Sequence, residues 1–269
     1  MAKYNKKRAR ELQHDRFRDS TMSFFDRLGD KLEGQGRNIL YGLGGLLLVA
    51  ILVIFFVKWN GRKNDEARQA MGRAITLATA PITSTTPPAP TATGPSFASE
   101  QERAQRAAAE FDKVAQKYGE PYHSEARYFA ATNRLVFDRP KAETELSELA
   151  GGKSGEVVAL AKFALAQAKE GDGKLDEAAQ LYSDLAKLNS VAVSAETANL
   201  RLAKLYQKQG KTKEAADLLF SIVDASRKAK GKDELPLPPS SAAREAADEL
   251  QKLDPARYAQ LPPEAPMLG

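Results

Sequence analysis

Residues 156–222 read EVVALAKFALAQAKEGDGKLDEAAQLYSDLAKLNSVAVSAETANLRLAKLYQKQGKTKEAADLLFSI, and their spacing decides the fold. When Ala178 is superposed on Ala215 the pattern repeats at an interval of 37 residues, and it extends 36 residues backwards to Ala142. Four residues after each alanine stand Leu146, Tyr182 and Leu219, and three later again Leu149, Leu185 and Ile222. Apolar residues at such steps share one face of an α-helix. Thirteen residues before the alanines stand Phe129, Leu165 and Leu202, followed by Ala130, Ala166 and Ala203. A large apolar residue beside an alanine lets a first helix pack closely on a second, so each unit is expected to be a helical hairpin. The hairpins turn at Gly173 and Gly210, and at Asp138 with Pro140, where the aspartate caps and the proline starts the next helix. Ala107, Phe111 and Val114, 35 residues before the first unit, mark the second helix of one more repeat. Its first helix is expected over Asn64 to Ala78.

No alternating β-branched run is long enough to suggest a sheet, so the fold class is all-α. Residues 59–79 read as a juxtamembrane helix and 80–99 as a Pro/Thr-rich linker without charge. Residues 100–228 carry the helical repeats, 229–240 form a Lys/Pro-rich loop, and 241–254 give an amphipathic helix that caps the exposed end of the stack. The Pro-rich tail 255–269 is expected to be disordered.

Upstream, Ile39 to Val57 is a run of 19 residues without a charge. At ~1.5 Å per residue it matches the ~30 Å hydrocarbon core of a bilayer. Arg37 and Lys58 bracket it, and Tyr41 and Trp59 sit near its ends as interfacial anchors. Residues 38–58 are therefore expected to span a membrane as one helix. Lys58-Trp59-Asn60 offers no small-residue cleavage site, so the segment is expected to stay attached. The first 37 residues hold 10 Lys and Arg against 5 over residues 58–73. A narrower window gives 4 against 5, so the bias rests on the distal cluster Lys3, Lys6, Lys7, Arg8 and Arg10. It predicts a cytoplasmic N-terminus. Phe17, Phe24, Phe25, Leu28 and Leu32 share a helical face in this basic 1–37 tail, as in an amphipathic helix on an anionic leaflet. Gly42, Gly44 and Gly45 leave room for a partner helix.

Charge placement excludes other classes. Through Lys58 there are 11 Lys and Arg against 6 Asp and Glu; subtracted from the chain totals of 40 and 35, these leave 29 of each beyond it. A nucleic-acid binder would carry its basic excess on the folded part, and here that part is balanced. No cysteine is present, which removes disulfides, thiolate metal sites and a thiol nucleophile. Gly152-Lys153-Ser154 imitates the end of a phosphate-binding loop, but Ser147 stands where that motif needs glycine and no strand precedes it. His14 and His123 lie on opposite sides of the apolar run and cannot share a metal. The sequence points to no enzyme, no catalytic residues, no cofactor, no metal and no small-molecule substrate.

The small and apolar positions of the three units resemble tetratricopeptide repeats, although the family's tryptophan and most of its prolines are missing. That resemblance implies an α-solenoid whose first helices line a concave protein-binding groove. Here the groove would present Arg127, Ala131, Arg134, Phe163, Gln167, Leu200, Lys204 and Gln207, an apolar and basic surface suited to an extended peptide or partner helix. Arg127, Phe163 and Leu200 replace the Lys/Asn types of the carboxylate clamps that grip chaperone C-termini, so that activity is not implied. The order of parts, basic tail, single helix, juxtamembrane helix and hairpins, resembles the YfgM-type ancillary subunits of the bacterial SecYEG translocon over roughly residues 36–226. It implies a domain on the periplasmic side of the inner membrane that assists secreted chains, with translocon subunits and periplasmic chaperones as partners. The longer tail, the 80–99 insert and the C-terminal extension depart from that layout. The alternative is a permanent structural or assembly subunit of an inner-membrane complex.

Overall fold

The computed structural model describes residues 52, 61, 63–83, 94–152, 155–188, 190–232 and 234–264. The chain divides into two compact units, Met1–Asn64 and Asp65–Gly269, and nearly all described residues belong to the second. No helix among the described residues is long and apolar enough to cross a membrane. Of the run 39–57 only Leu52 is described, in helix, so the expected span, like the amphipathic helix and glycines of the N-terminal part, lies outside the described residues.

The second unit is all-α. Helix α1 covers 63–78, followed by α2 (Glu100–Lys117), α3 (Tyr122–Arg134), α4 (Arg139–Ala150), α5 (Glu156–Gly171) and α6 (Leu175–Ala186). Then come α7 (Ala195–Lys208), α8 (Thr212–Lys228), α9 (Ser241–Leu253) and the single turn α10 (Pro255–Tyr258). The only β pairing among the described residues is two isolated bridges, Ile82 with Phe97 and Lys230 with Pro236.

Local chemistry sets the helix ends. Ser99, Ser194 and Ser240 cap α2, α7 and α9, their hydroxyls accepting from the backbone N–H of Glu102, Thr197 and Ala243 at 3.0–3.1 Å. Asp138 caps α4 and Pro140 sits in its first turn. Gly173 and Gly210 close α5 and α7 at φ 74°, a left-handed conformation that glycine adopts without strain. Beyond them Lys174 and Lys211 donate N–H to Lys169 and Tyr206 carbonyls at 2.9 Å, the six-residue closure that satisfies a helix C-terminus.

The hairpins run antiparallel and stack in order, each helix packing mainly on its neighbours in sequence. Glu66 near the start of α1 meets Lys117 at the end of α2 at 3.7 Å, and Arg103 near the start of α2 reaches the Ala80 carbonyl at 3.3 Å. The expected register holds. Ala142, Ala178 and Ala215 are sealed, as are Leu146, Tyr182 and Leu219 and, on the first helices, Ala130, Ala166 and Ala203. In the first hairpin Ala70, Met71 and Ala74 of α1 bury against Ala107, Phe111 and Val114 of α2. The 80–99 insert thus joins two halves of one hairpin. Its ends are pinned by Thr83 N–H to Phe97 O at 2.9 Å and Phe97 N–H to Pro81 O at 3.1 Å.

Helix α9 packs on α7 and α8 as the first helix of a further repeat would, burying Ala242, Ala243, Ala246 and Leu250 against Leu219, Ile222 and Val223. The expectation of a disordered tail from Pro255 is corrected for its first part. Asp254 caps α10, Arg257 pairs with Asp217, Arg227 donates to the Pro262 carbonyl, and Leu261 is buried with the α8/α9 core. Sequence composition hid this because one buried leucine, one cap and two arginine contacts were enough to hold so short a segment.

Candidate protein-binding face

First helices α3, α5 and α7 carry the eight predicted groove residues; α3 touches α5 and α7 touches α9, whereas α5 and α7 are not in comparable contact. No pair of second helices is in comparable contact. The two contacts between first helices lie on the side where the repeat resemblance implies a groove.

The eight residues do not form one open surface. Ala131, Arg134 and Leu200 are buried. Ala131 belongs to the core between α3, α4 and α5, with Leu146, Ala161 and Leu165. Leu200 faces α9 and shares its apolar cluster. That is a correction to its expected role as an open contact, because the capping helix fills the part of the groove to which Leu200 belongs.

Arg134 is held between Asp112 of α2 and Glu145 of α4, each within direct ion-pair reach. Burial alone would lower its pKa, but the two carboxylates hold it above the ordinary guanidinium value. Its charge is spent inside the fold.

The remaining charges are also matched. Arg127 Nη2 donates to Glu148 at 2.6 Å, tying α3 to α4. Lys204 donates to Glu245, tying α7 to α9, and this bond holds the Glu245 carboxyl below the usual carboxylate range. The predicted basic character of the groove is therefore largely neutralised by the chain's own acids. Spacing along one helix could place these cations on the first-helix face but could not show the acids opposite, which come from elsewhere in the sequence.

Phe163, Gln167 and Gln207 complete the set. Phe163 is half-buried and meets the sealed Tyr182 edge-on, ring centroids 6.0 Å apart at 63°. One turn on, Gln167 is exposed. Gln207 is half-buried, with its Nε2 out of solvent and without a hydrogen-bond partner. The accessible part of the face thus centres on α5. It offers one aromatic edge, one amide and no unmatched charge among the predicted residues.

By its spacing Tyr182 is a core position. Its hydroxyl donates to Glu170 at 3.2 Å, and burial together with the Glu170 charge pushes its pKa well up. Among the described residues no group of three His, Cys, Asp or Glu side chains is placed to hold a metal ion. His123 directs Nδ1 to the Ala115 carbonyl at 2.8 Å, a contact that joins α3 to α2. A scan against protein-family models finds no match to this chain, and searches of curated proteins and of solved structures find none either.

Proposed function

We propose that the chain is a membrane-anchored, tetratricopeptide-like scaffold for protein–protein interaction that assists secreted chains at the translocon together with periplasmic chaperones. The observation that carries this reading is the register of the stacked hairpins: repeat units bury their matching positions against one another and leave a first-helix face centred on Phe163 and Gln167. Such stacks act through extended surfaces and not through a single reactive centre. The apolar run Ile39 to Val57 supports the anchor, since it ends only eight residues before Asp65. The layout of tail, span and hairpins supports the translocon setting by resemblance alone.

A second reading is favoured by one specific observation. Helix α9 and the segment through Pro262 cover the far end of the stack, and Leu200 with it. A shortened open face suits a domain that docks permanently on one partner, as in a structural or assembly subunit.

Crosslinking in native membranes separates the two. Transient adducts with many secreted chains support the scaffold. One adduct at fixed stoichiometry supports the subunit, and the absence of any protein adduct refutes both.

A further inference from the structure

Because the helices alternate in direction, every connection from a second helix to the next first helix emerges on the edge of the stack where α1 begins. Three contacts fix this. Glu66 pairs with Lys117 at the end of α2, Arg68 Nε donates to the Tyr122 hydroxyl at the start of α3 at 3.1 Å, and Ser240 at the start of α9 donates to Glu196 at the start of α7. The loops 187–194 and 229–240 are thus neighbours on that edge.

These two loops hold four large apolar side chains out in solvent. Val191 is 91% exposed, and Leu188, Leu235 and Leu237 are 42–49% exposed. Single exposed apolar residues are ordinary, but four on two neighbouring loops of one edge gather apolar surface in one place. The loops are not slack. Leu237 N–H donates to Ala229 O at 3.0 Å and Gly231 N–H to Leu235 O at 2.8 Å, closing 229–237 into a hydrogen-bonded hook. In the other loop Val193 is buried while Val191, two residues away, points out. Lys187, Lys230 and Lys232 lie on the same loops and Lys228 ends α8 beside them, all exposed; Lys187, Lys228 and Lys230 pair with Asp184, Asp224 and Glu234.

Chain connectivity says what lies opposite. Asp65 follows Val57 by eight residues, a reach of at most ~28 Å extended and ~12 Å as helix. The opposite edge of the stack, where the first helices end, carries Val136, 47% exposed. We propose that the 187–194 and 229–240 loops are a membrane-docking edge: Leu188, Val191 and Leu237 enter the headgroup region of a bilayer, with Lys232 at the phosphate level. This rests on the reading that residues 39–57 span that bilayer. Docking holds the domain down on the surface and presents the α5 face sideways along it.

The chain has no cysteine, so single probes can be placed in the full-length protein. Val191→Cys, Leu237→Cys and, as control, Val136→Cys are spin-labelled in vesicles of phosphatidylethanolamine and anionic phosphatidylglycerol. Collision with dissolved oxygen and with a water-soluble nickel chelate is then measured. Labels at 191 and 237 should meet the chelate about tenfold less often than the label at 136 while oxygen still reaches them, as for groups in the interfacial layer. Equal access of the chelate to all three positions overturns the docking edge. Shielding of 191 and 237 from both reagents also overturns it, since protein then covers them; if removing residues 265–269 restores access, the chain's own tail is the cover. A chain stripped from the vesicles by alkaline carbonate overturns the anchor itself, whereas a retained chain with uniform access overturns the docking alone.

Discussion

Arg134 sits at the junction of three helices with its guanidinium shared between Asp112 and Glu145, whose side chains keep 40% and 23% of their exposure. Removing the cation leaves two carboxylates facing each other across α3, partly rescued by water. Arg134→Ala should therefore destabilise the fold by about 2–3 kcal/mol, below the range for a fully buried pair, as measured by denaturant unfolding. Adding Asp112→Asn and Glu145→Gln to that variant should recover part of the loss. Tyr182 gives a pH signature. Its folded pKa is raised above the unfolded value near 10, so the neutral phenol is favoured by the fold. The stability this contributes is fully present below about pH 10 and is lost as pH rises above it. Tyr182→Phe removes the bond to Glu170 at a cost of about 0.5–1.5 kcal/mol near neutral pH. Unfolding curves of the two proteins should converge above about pH 10, and a gap that stays constant there would show that the hydroxyl does not couple to folding.

The hairpins depend on small residues at fixed places. Ala166 and Ala203 are both sealed, so Ala166→Leu or Ala203→Leu overpacks a helix pair by about 1–3 kcal/mol. Unchanged melting temperatures for both would mean that the units are out of register. Leu250 tests α9 in the same way: fully buried, it should cost about 2–4 kcal/mol as Leu250→Ala if α9 is an integral part of the stack. A near-silent change would show α9 to be loosely attached. The sequence made these elements legible because burial on a helix leaves a 3-and-4 rhythm. Ala142, Leu146 and Leu149 on α4 display it as plainly as Ala215, Leu219 and Ile222 on α8. The candidate face was less legible. Which helix face a residue occupies follows from spacing, but what stands opposite follows from stacking: Leu200 looked open until α9 lay over it, and Lys204 looked free until Glu245, 41 residues on, reached it. Gln167 kept its predicted exposure, and Phe163 part of its own, since α6 and α7 cover one side of that ring.

At the scale of the whole molecule, the reading joins a stack of hairpins with the apolar run eight residues before Asp65 and a basic tail before that. It predicts that protease added to spheroplasts digests the hairpin domain, and shielding until the membrane is lysed would reverse the orientation. Affinity at the face should depend on Phe163 and only weakly on salt, because Arg127, Arg134 and Lys204 are already paired with the chain's own carboxylates. The central claim is that partners are held on the first-helix face at α5. Its most direct test is a photoreactive amino acid placed at Gln167 in the full-length protein in native membranes, with Gln180 on the second helix α6 as the control; both positions are exposed. The account predicts adducts with secreted chains, chaperones or translocon subunits from position 167 and few from 180. Equal yields at the two positions, or adducts from 180 alone, would contradict it.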